Sequence, residues 1–361
     1  MAIDHVRVYS GLPAGGPEAG IFLTRWITHF VAPGFAFLAG TGALFHGLKL
    51  GDRAALSRFL VTRGLLLVVL ELTVIRFTWT FNLDYGLFTL AGVIWMLGWC
   101  MILLAFLVRL RPALVGWIGV AIILFQQVFG GIGNALPAAT GVIWNFIYPT
   151  DHPGWDRINI LYVLVPWIGV MAAGYGFGLL MQREEASRRR VLLRVGVGLT
   201  VLFLIVGSIL ATQIGGGGGE AGGEGPAPPF WMRLLNQQKY PASQLFLLMT
   251  LGPMIALLPA VERARGWWAR AITTFGRVPL FYYLLHIPTI HLAGIVVMKL
   301  RGTFDSGWYA TAPYTQVPEE HWWSLPLLYL VFAVVIAVLY PICRWYGGYK
   351  ARRSDGWVRY I

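Results

Sequence analysis

Long apolar runs constrain this chain more than any other feature of its sequence. A bilayer core takes about 20 consecutive apolar residues, and a backbone in lipid must satisfy its own hydrogen bonds, so each such run is predicted to be a helix. The ten-residue alternation of a membrane β-barrel is absent. We therefore predict an all-α, polytopic transmembrane helix bundle with nine spans, at about 27–46, 59–80, 86–108, 113–132, 160–181, 190–212, 243–260, 275–298 and 325–346.

Composition supports a lipid partner and disfavours a nucleic-acid partner. Charged residues make up 12% of the chain, whereas a soluble domain carries about 25%. The formal net charge is +12, but the basic residues lie in short loops between apolar runs, as membrane proteins place them. The two cysteines, Cys100 and Cys343, both lie in apolar runs, so neither a disulfide framework nor a Cys-based metal site is indicated, and we predict no metal.

Basic residues divide unequally between the two sets of loops. The segments 49–63, 109–111, 183–194, 263–270 and 344–359 hold nineteen Lys and Arg, and the alternate set holds eight: Arg7, Arg25, Arg76, Arg157, Arg233, Lys239, Lys299 and Arg301. Because cytoplasmic loops carry the excess of Lys and Arg, we predict a membrane of the inner (cell) type with the richer set and the C-terminus on its cytoplasmic side.

The chain is predicted to be a single integral membrane domain, 1–361. The predicted orientation leaves the N-terminal segment outside, and Met1 opens an apolar stub that runs into Asp4. We therefore expect a further transmembrane helix ahead of this segment. Residues 213–230 are rich in Gly and Pro and are predicted to be a flexible external loop.

Several polar side chains fall inside the predicted spans, where an ionisable group costs at least about 2.5 kcal/mol and indicates function. They are Glu71, Arg76, Gln126 and His286, and we interpret them as a substrate or acyl pathway. For Glu71 and Arg76, an intramembrane ion pair is an equally good interpretation. His286 and His291 do not share a helix face well, which disfavours a metal pair.

A histidine beside a carboxylate at the external mouth of a bundle suits acyl transfer. The imidazole takes a proton from the attacking hydroxyl or amine, and the carboxylate stabilises the resulting imidazolium. Asp4 and His5 are neighbours, His29 is a second candidate base, and Asp84 is placed to orient either.

Two pairs of glycines are spaced as in close helix packing: Gly40 with Gly42, and Gly174 with Gly178. The sequence contains no GxSxG, HExxH or P-loop motif. Any chemistry is therefore expected from histidines and carboxylates.

Linked motifs along most of the chain resemble the bacterial relatives of heparan-α-glucosaminide N-acetyltransferase, in a wider set of transmembrane acyltransferases. They are DHVR at 4–7, TRWITHFVAP at 24–33, FLAGTG at 37–42, ELTVIRFTW at 71–79, FNLDY at 81–85 and FGRVPLFYYLLHIP at 275–288. The resemblance implies that an acyl group, acetyl in this family, passes from cytoplasmic acyl-CoA to a sugar across the membrane. It also adds Arg25 and Asn82 to the substrate-site candidates.

The chain departs from this family pattern in two places. Members of the family begin with an Asp-x-x-Arg-Gly motif in a first helix, and this chain starts after it. The catalytic histidine of the animal enzyme lies in the first luminal loop, whereas 10–24 contains no histidine and is flanked by His5 and His29.

We therefore expect an acyltransferase with acyl-CoA as donor and a periplasmic or extracellular glycan or glycolipid as acceptor. The alternatives are a transporter or channel that uses Glu71, Arg76 and His286, and a non-catalytic envelope assembly protein. Transporters often contain inverted repeats, and no internal repeat is evident here. The sequence leaves the oligomeric state and the acceptor open.

Overall fold

Helices make up most of the chain in the computed structural model, which describes residues 1–13, 18–87, 89–155, 157–213, 228–310 and 317–353. They are α1 (Ala2–Ser10), α2 (Ala19–Trp26), α3 (Val31–Leu50), α4 (Arg53–Leu70), α5 (Arg76–Thr80), α6 (Val93–Leu107), α7 (Pro112–Leu124), α8 (Gln127–Ala135), α9 (Gly141–Ile147), α10 (Trp167–Met181), α11 (Glu185–Gln213), α12 (Phe230–Leu235), α13 (Gln244–Arg263), α14 (Trp267–Arg277), α15 (Pro279–Leu300), α16 (Gly307–Ala310) and α17 (Leu325–Arg352). Two short strands, β1 (Leu90–Ala91) and β2 (Asn159–Ile160), pair in parallel. The predicted all-α class is confirmed.

Every predicted span coincides with at least one helix, although the number of spans stays a prediction. Among the described residues, five helices are long and apolar enough to cross a membrane. They are α11, α13, α15, α17 and the continuous helix Ala19–Leu50, in which a 3-10 turn at Ile27–Phe30 joins α2 to α3. The bent pair α7 and α8 makes six if it counts as one span. The helices α6 and α10 are apolar but shorter.

Two of the predicted spans differ from the structure in detail. The span at 86–108 begins too early, because β1 and a turn precede α6, which starts at Val93. The span at 113–132 is broken, since α7 and α8 meet at an angle of 66°. Hydropathy does not distinguish a helix from an apolar turn or strand, so both errors have the same cause.

Contacts divide the chain into two compact units. One comprises Met1–Thr28, Thr73–Phe88 and Arg263–Ile361, and the other comprises His29–Leu72 and Thr89–Glu262. The single-domain interpretation stays a prediction. Residues 214–227, which form most of the predicted flexible loop, lie outside the described residues.

In the unit that contains His29–Leu72, α10 packs against α3 on one side and α7 on the other. A methyl group at Gly40 would overlap the carbonyl oxygen of Met171, and one at Gly174 would overlap that of Phe37. These two backbones therefore touch, and the packing prediction is confirmed for Gly40 and Gly174. Gly178 faces the side chain of Leu44.

Gly42 is not a packing position, because a methyl group there would meet no described heavy atom within 4 Å. Gly42 therefore provides a matched control two residues from Gly40. We expect Gly40→Ala to lower the free energy of unfolding by about 3 kcal/mol, since backbone cannot yield as a side chain can. Gly42→Ala should be neutral or stabilising by up to about 1 kcal/mol, because alanine favours a helix. Denaturant titration in mixed micelles measures both, and equal effects would contradict the packing.

In the other unit, the short helix α1 packs against α15 and α17. Buried Val6 and Tyr9 lie on α1, and buried Tyr283, Ile287 and Ile290 lie on α15. The spacing of these α15 residues at three and four positions marks one helical face. That face contains His286, and α1 contains His5.

Candidate active site

Two histidines meet where α1 packs against α15. The Nδ1 atom of His5 lies 2.8 Å from the Nε2 atom of His286. Their ring centroids are 4.8 Å apart and their planes differ by 21°, so the rings meet edge to edge in the geometry of an N–H···N bond. His286 is fully buried, and His5 is half-buried.

The neighbours of His286 define the direction of this hydrogen bond. Its Nδ1 atom lies 2.7 Å from the carbonyl oxygen of Tyr283, and a carbonyl oxygen only accepts. The Nδ1 atom therefore carries a proton, and in the neutral ring Nε2 accepts from Nδ1–H of His5. In neutral His5 the basic lone pair then resides on Nε2. In this tautomer Nε2 is the ring nitrogen that can accept a proton.

Aromatic rings hold His5 in place. The edge of Trp79 lies against the His5 ring, with centroids 4.8 Å apart and planes at 62°, and Tyr283 lies at 6.4 Å. The hydroxyl of Tyr9 donates to the carbonyl oxygen of Trp79 at 2.6 Å. The orientation of His5 is therefore determined by buried neighbours on three segments of the chain.

A third imidazole, that of His291, lies in the same aromatic cluster. It stacks on Phe81 at 3.9 Å between centroids and on Tyr9 at 4.9 Å, and its Nδ1 atom lies 3.2 Å from the carbonyl oxygen of Thr78. From the sequence, His291 is predicted to lie in the span 275–298, and no function is predicted for it. Its ring neighbours come from distant segments, so no sequence period indicates them.

Arg76 holds the turn that follows α5. The buried guanidinium donates to the carbonyl oxygens of Asn82 and Asp84 and lies 4.4 Å from the centroid of Tyr85. Phe81, at the start of this turn, has a φ of 48°, which is unfavourable for a residue with a side chain. Arg76 therefore maintains the turn that presents Phe81 to His291.

The side chains of Asn82 and Asp84 also bind backbone. Asn82 donates to the carbonyl oxygen of Ala310 at 3.0 Å and accepts from the N–H of Asp84 at 2.7 Å. The exposed Asp84 carboxylate accepts from the N–H of Gly86 at 3.0 Å. These bonds stabilise the turn, and a role for Asp84 in orienting a histidine stays a prediction.

Asp4 forms an ion pair with Arg7, one turn along α1. The Nε atom of Arg7 lies 3.0 Å from Oδ1 of Asp4, and the Nη1 atom of Arg7 donates to the carbonyl oxygen of Leu12 at 2.8 Å. Asp4 is thus linked to the end of α1. Arg25 lies half-buried on α2.

In the unit that contains His29–Leu72, Glu71 binds the N-terminus of α6. Its Oε2 atom accepts the N–H groups of Ile94 and Trp95 at 3.0 and 3.1 Å. Gly92 precedes the helix and has no side chain to cap it, so Glu71 supplies the acceptor that an N-cap residue usually provides. A methyl group at Gly92 would lie 2.6 Å from Oε1 of Glu71. Glycine here leaves room for the carboxylate.

His29 and Gln126 are buried in this unit too. The His29 ring lies 5.4 Å from that of Phe246. Gln126 lies at the bend between α7 and α8, and its Nε2 atom donates to the carbonyl oxygen of Ile123 at 3.2 Å. Its Oε1 atom is buried and has no hydrogen-bond partner among the described residues. Among all the residues that the structure describes, no three His, Cys, Asp or Glu side chains are grouped to hold a metal ion.

Comparison with known protein families identifies the family of this chain. Residues 15–208, more than half of the 361, match a family model described as heparan-alpha-glucosaminide N-acetyltransferase, catalytic. No curated protein and no solved structure matches the chain. The matched range contains Arg25, His29, Glu71, Arg76, Asn82, Asp84 and Gln126. The pair formed by His5 and His286 lies outside it.

Proposed function

Because the chain belongs to the heparan-alpha-glucosaminide N-acetyltransferase family, we propose that it is a membrane-embedded acyltransferase. Its donor is acyl-CoA, with acetyl as the acyl group, on the cytoplasmic side. Its acceptor is a sugar of a glycan or glycolipid on the external side of a bacterial cell membrane. Family membership supports the transferase class, and the apolar helices support the membrane location.

The hydrogen bond between His5 and His286 is the observation that carries the proposed chemistry. We assign His5 as the general base and His286 as its positioning residue. Nε2 of His5 takes a proton from the acceptor's amino or hydroxyl group as that group attacks the thioester carbonyl. The carbon–sulfur bond then breaks, and the imidazolium returns the proton so that CoA leaves as a thiol. His286 holds the required tautomer through the carbonyl of Tyr283.

The other predicted site residues remain candidates within this proposal. Asp4 and Asp84 are candidates for electrostatic support of the imidazolium, and His29 is a candidate base in the event that His5 is dispensable. The bonds of Glu71 and Arg76 to backbone groups favour structural roles for both. Arg25, Asn82 and Gln126 stay candidates for substrate contacts.

The test of the proposed function is transfer of radiolabel by the purified protein. Proteoliposomes receive labelled acetyl-CoA on one side and an envelope glycan extract on the other. We expect labelled glycan to form in proportion to the amount of protein. Release of labelled acetate alone, or an absence of product from folded protein, would count against the acyltransferase assignment.

Transport is the second candidate function, and one feature favours it. Discontinuous helices form the substrate sites of many transporters, and α7 and α8 are discontinuous at a buried Gln126. Uptake of a labelled amino sugar into proteoliposomes without any acetylation would support transport over transfer.

The proposed orientation predicts opposite labelling of two serines. Ser187 lies in the basic segment 183–194, at the start of α11, and Ser306 lies in a segment of the alternate set. Cytoplasmic placement of the basic segments therefore puts Ser306 outside. In intact cells, a cysteine at Ser306 should react with an impermeant thiol reagent, and one at Ser187 should react only after lysis. The native Cys100 and Cys343 are buried, which keeps the background low. The reverse pattern would invert the orientation.

A further inference from the structure

The helix α14 is too short to cross a membrane, yet it connects two helices that are long enough. It has eleven residues, between α13 and α15, and at 1.5 Å per residue it measures about 16 Å. A break lies at each end, since Gly266 has a φ of 95° and Pro279 opens α15. A short helix between two spanning helices is expected at the membrane surface.

The two faces of α14 differ in chemistry. On a helical projection, Trp267, Trp268, Ile272 and Phe275 share one face, and Arg270, Thr273 and Arg277 share the opposite one. Phe275 packs against the buried cluster of Val278, Cys343 and Tyr346, which fixes the helix on α15 and α17. The remaining apolar side chains project from this anchor.

Those side chains, Trp267, Trp268 and Ile272, are largely exposed. The exposed fractions are 59% for Trp267, 65% for Trp268 and 70% for Ile272, and the two tryptophan rings stack at 3.6 Å. Tryptophan favours the boundary between lipid and water, because its ring is apolar and its N–H is polar. An exposed apolar face on a helix at the membrane surface fits the bilayer interface.

The charge of this segment selects among lipids. Arg263, Arg265, Arg270 and Arg277 are all exposed, and the sequence has no Asp or Glu from 263 to 304. A basic segment next to a membrane attracts anionic headgroups, and each basic residue near the surface strengthens the attraction about fivefold. We propose that α14 is an interfacial anchor, with Trp267, Trp268 and Ile272 in the bilayer and Arg270 and Arg277 on anionic phospholipid headgroups. This surface is independent of the acyltransferase chemistry.

Adjacent positions on opposite faces of α14 test the apolar contact. Spin labels on Ile272→Cys and on Thr273→Cys are compared in vesicles of phosphatidylcholine with phosphatidylglycerol. We expect the label at 272 to collide with oxygen, which concentrates in hydrocarbon, and the label at 273 to collide with a water-soluble nickel chelate. Nickel access at 272 would mean that the face is in water, and shielding from both reagents would mean that a second protein copy covers it. Either result would overturn the proposal.

Paired substitutions test the charge. Arg270→Gln with Arg277→Gln should weaken the association of spin-labelled phosphatidylglycerol about fivefold per arginine, while phosphatidylcholine association stays unchanged. Arg270→Lys with Arg277→Lys keeps the charge and should retain the association. Unchanged phosphatidylglycerol binding in the Gln pair would overturn the lipid selectivity. If the Gln pair does not fold, the Lys pair and the wild type still test the proposal. Equal binding of phosphatidylglycerol and phosphatidylcholine by both proteins would overturn the lipid selectivity.

Discussion

Replacing His5 by alanine is expected to reduce the rate of acyl transfer by about 100-fold or more, because the reaction loses its proton acceptor. His5 is half-buried on the short helix α1, so the protein should still fold and insert. The measurement is turnover of labelled acetyl-CoA with a saturating acceptor. His321→Ala is the control, since His321 lies on the same unit and stacks on Trp308 at 5.1 Å. Full activity of His5→Ala would remove the proposed mechanism, and loss only in His29→Ala would transfer the role to His29.

His286 should act through His5, and two substitutions separate this from a packing role. His286→Leu removes the acceptor for Nδ1–H of His5, so we expect turnover to fall about tenfold or more. His286→Gln provides an amide oxygen near the position of Nε2 and should restore part of the rate. A positioning role also predicts that the pH profile of turnover moves in His286→Leu. If Leu and Gln were equivalent at this position, the hydrogen bond would have no part in catalysis.

Replacing Glu71 by leucine is expected to lower the free energy of unfolding by about 2–6 kcal/mol. The N–H groups of Ile94 and Trp95 lose their acceptor, and an unsatisfied buried donor costs about 1–3 kcal/mol. Glu71→Gln keeps one oxygen and should lose less. Gly92→Ala should lose less than Glu71→Leu, since a methyl group at 92 would lie 2.6 Å from Oε1 and would shift the carboxylate without removing it. Denaturant titration in mixed micelles measures all three variants.

The control for Glu71 is a glutamate on the surface. Glu262 forms an exposed ion pair with Arg188 at 3.1 Å, and such a pair contributes at most about 1 kcal/mol. Glu262→Leu should therefore cost far less than Glu71→Leu. A similar loss at both positions would mean that the bonds of Glu71 to α6 contribute little to stability.

The helices could be predicted from sequence because the bilayer imposes a length and a composition on them. The errors at 86–92 and at the bend near Phe125 arise where apolar residues leave the helical conformation, which hydropathy does not register. Where the amphipathic α14 lies, hydropathy predicts a loop followed by the start of a span. Its mixed composition hides a face that only a helical projection separates.

The candidate site was only partly predictable. His5 and His286 were each identified, but their hydrogen bond joins residues 281 positions apart, and no period in a single sequence reports such a contact. Glu71 and Arg76 were identified because placing an ionisable side chain inside a membrane is energetically unfavourable. Their partners are backbone groups, which every residue has and which therefore leave no mark in the sequence.

The glycine contacts of α10 restrict how this part of the protein can move. A methyl group at Gly174 would overlap the backbone of α3, and one at Gly169 would lie 2.8 Å from the carbonyl oxygen of Gly119 on α7. Any slide or rotation of α10 would replace these glycines with bulkier residues at both contacts. We therefore expect α3, α10 and α7 to move as one rigid body. Any conformational change during a catalytic cycle would then occur in the segments that flank these three helices, and their register would stay fixed.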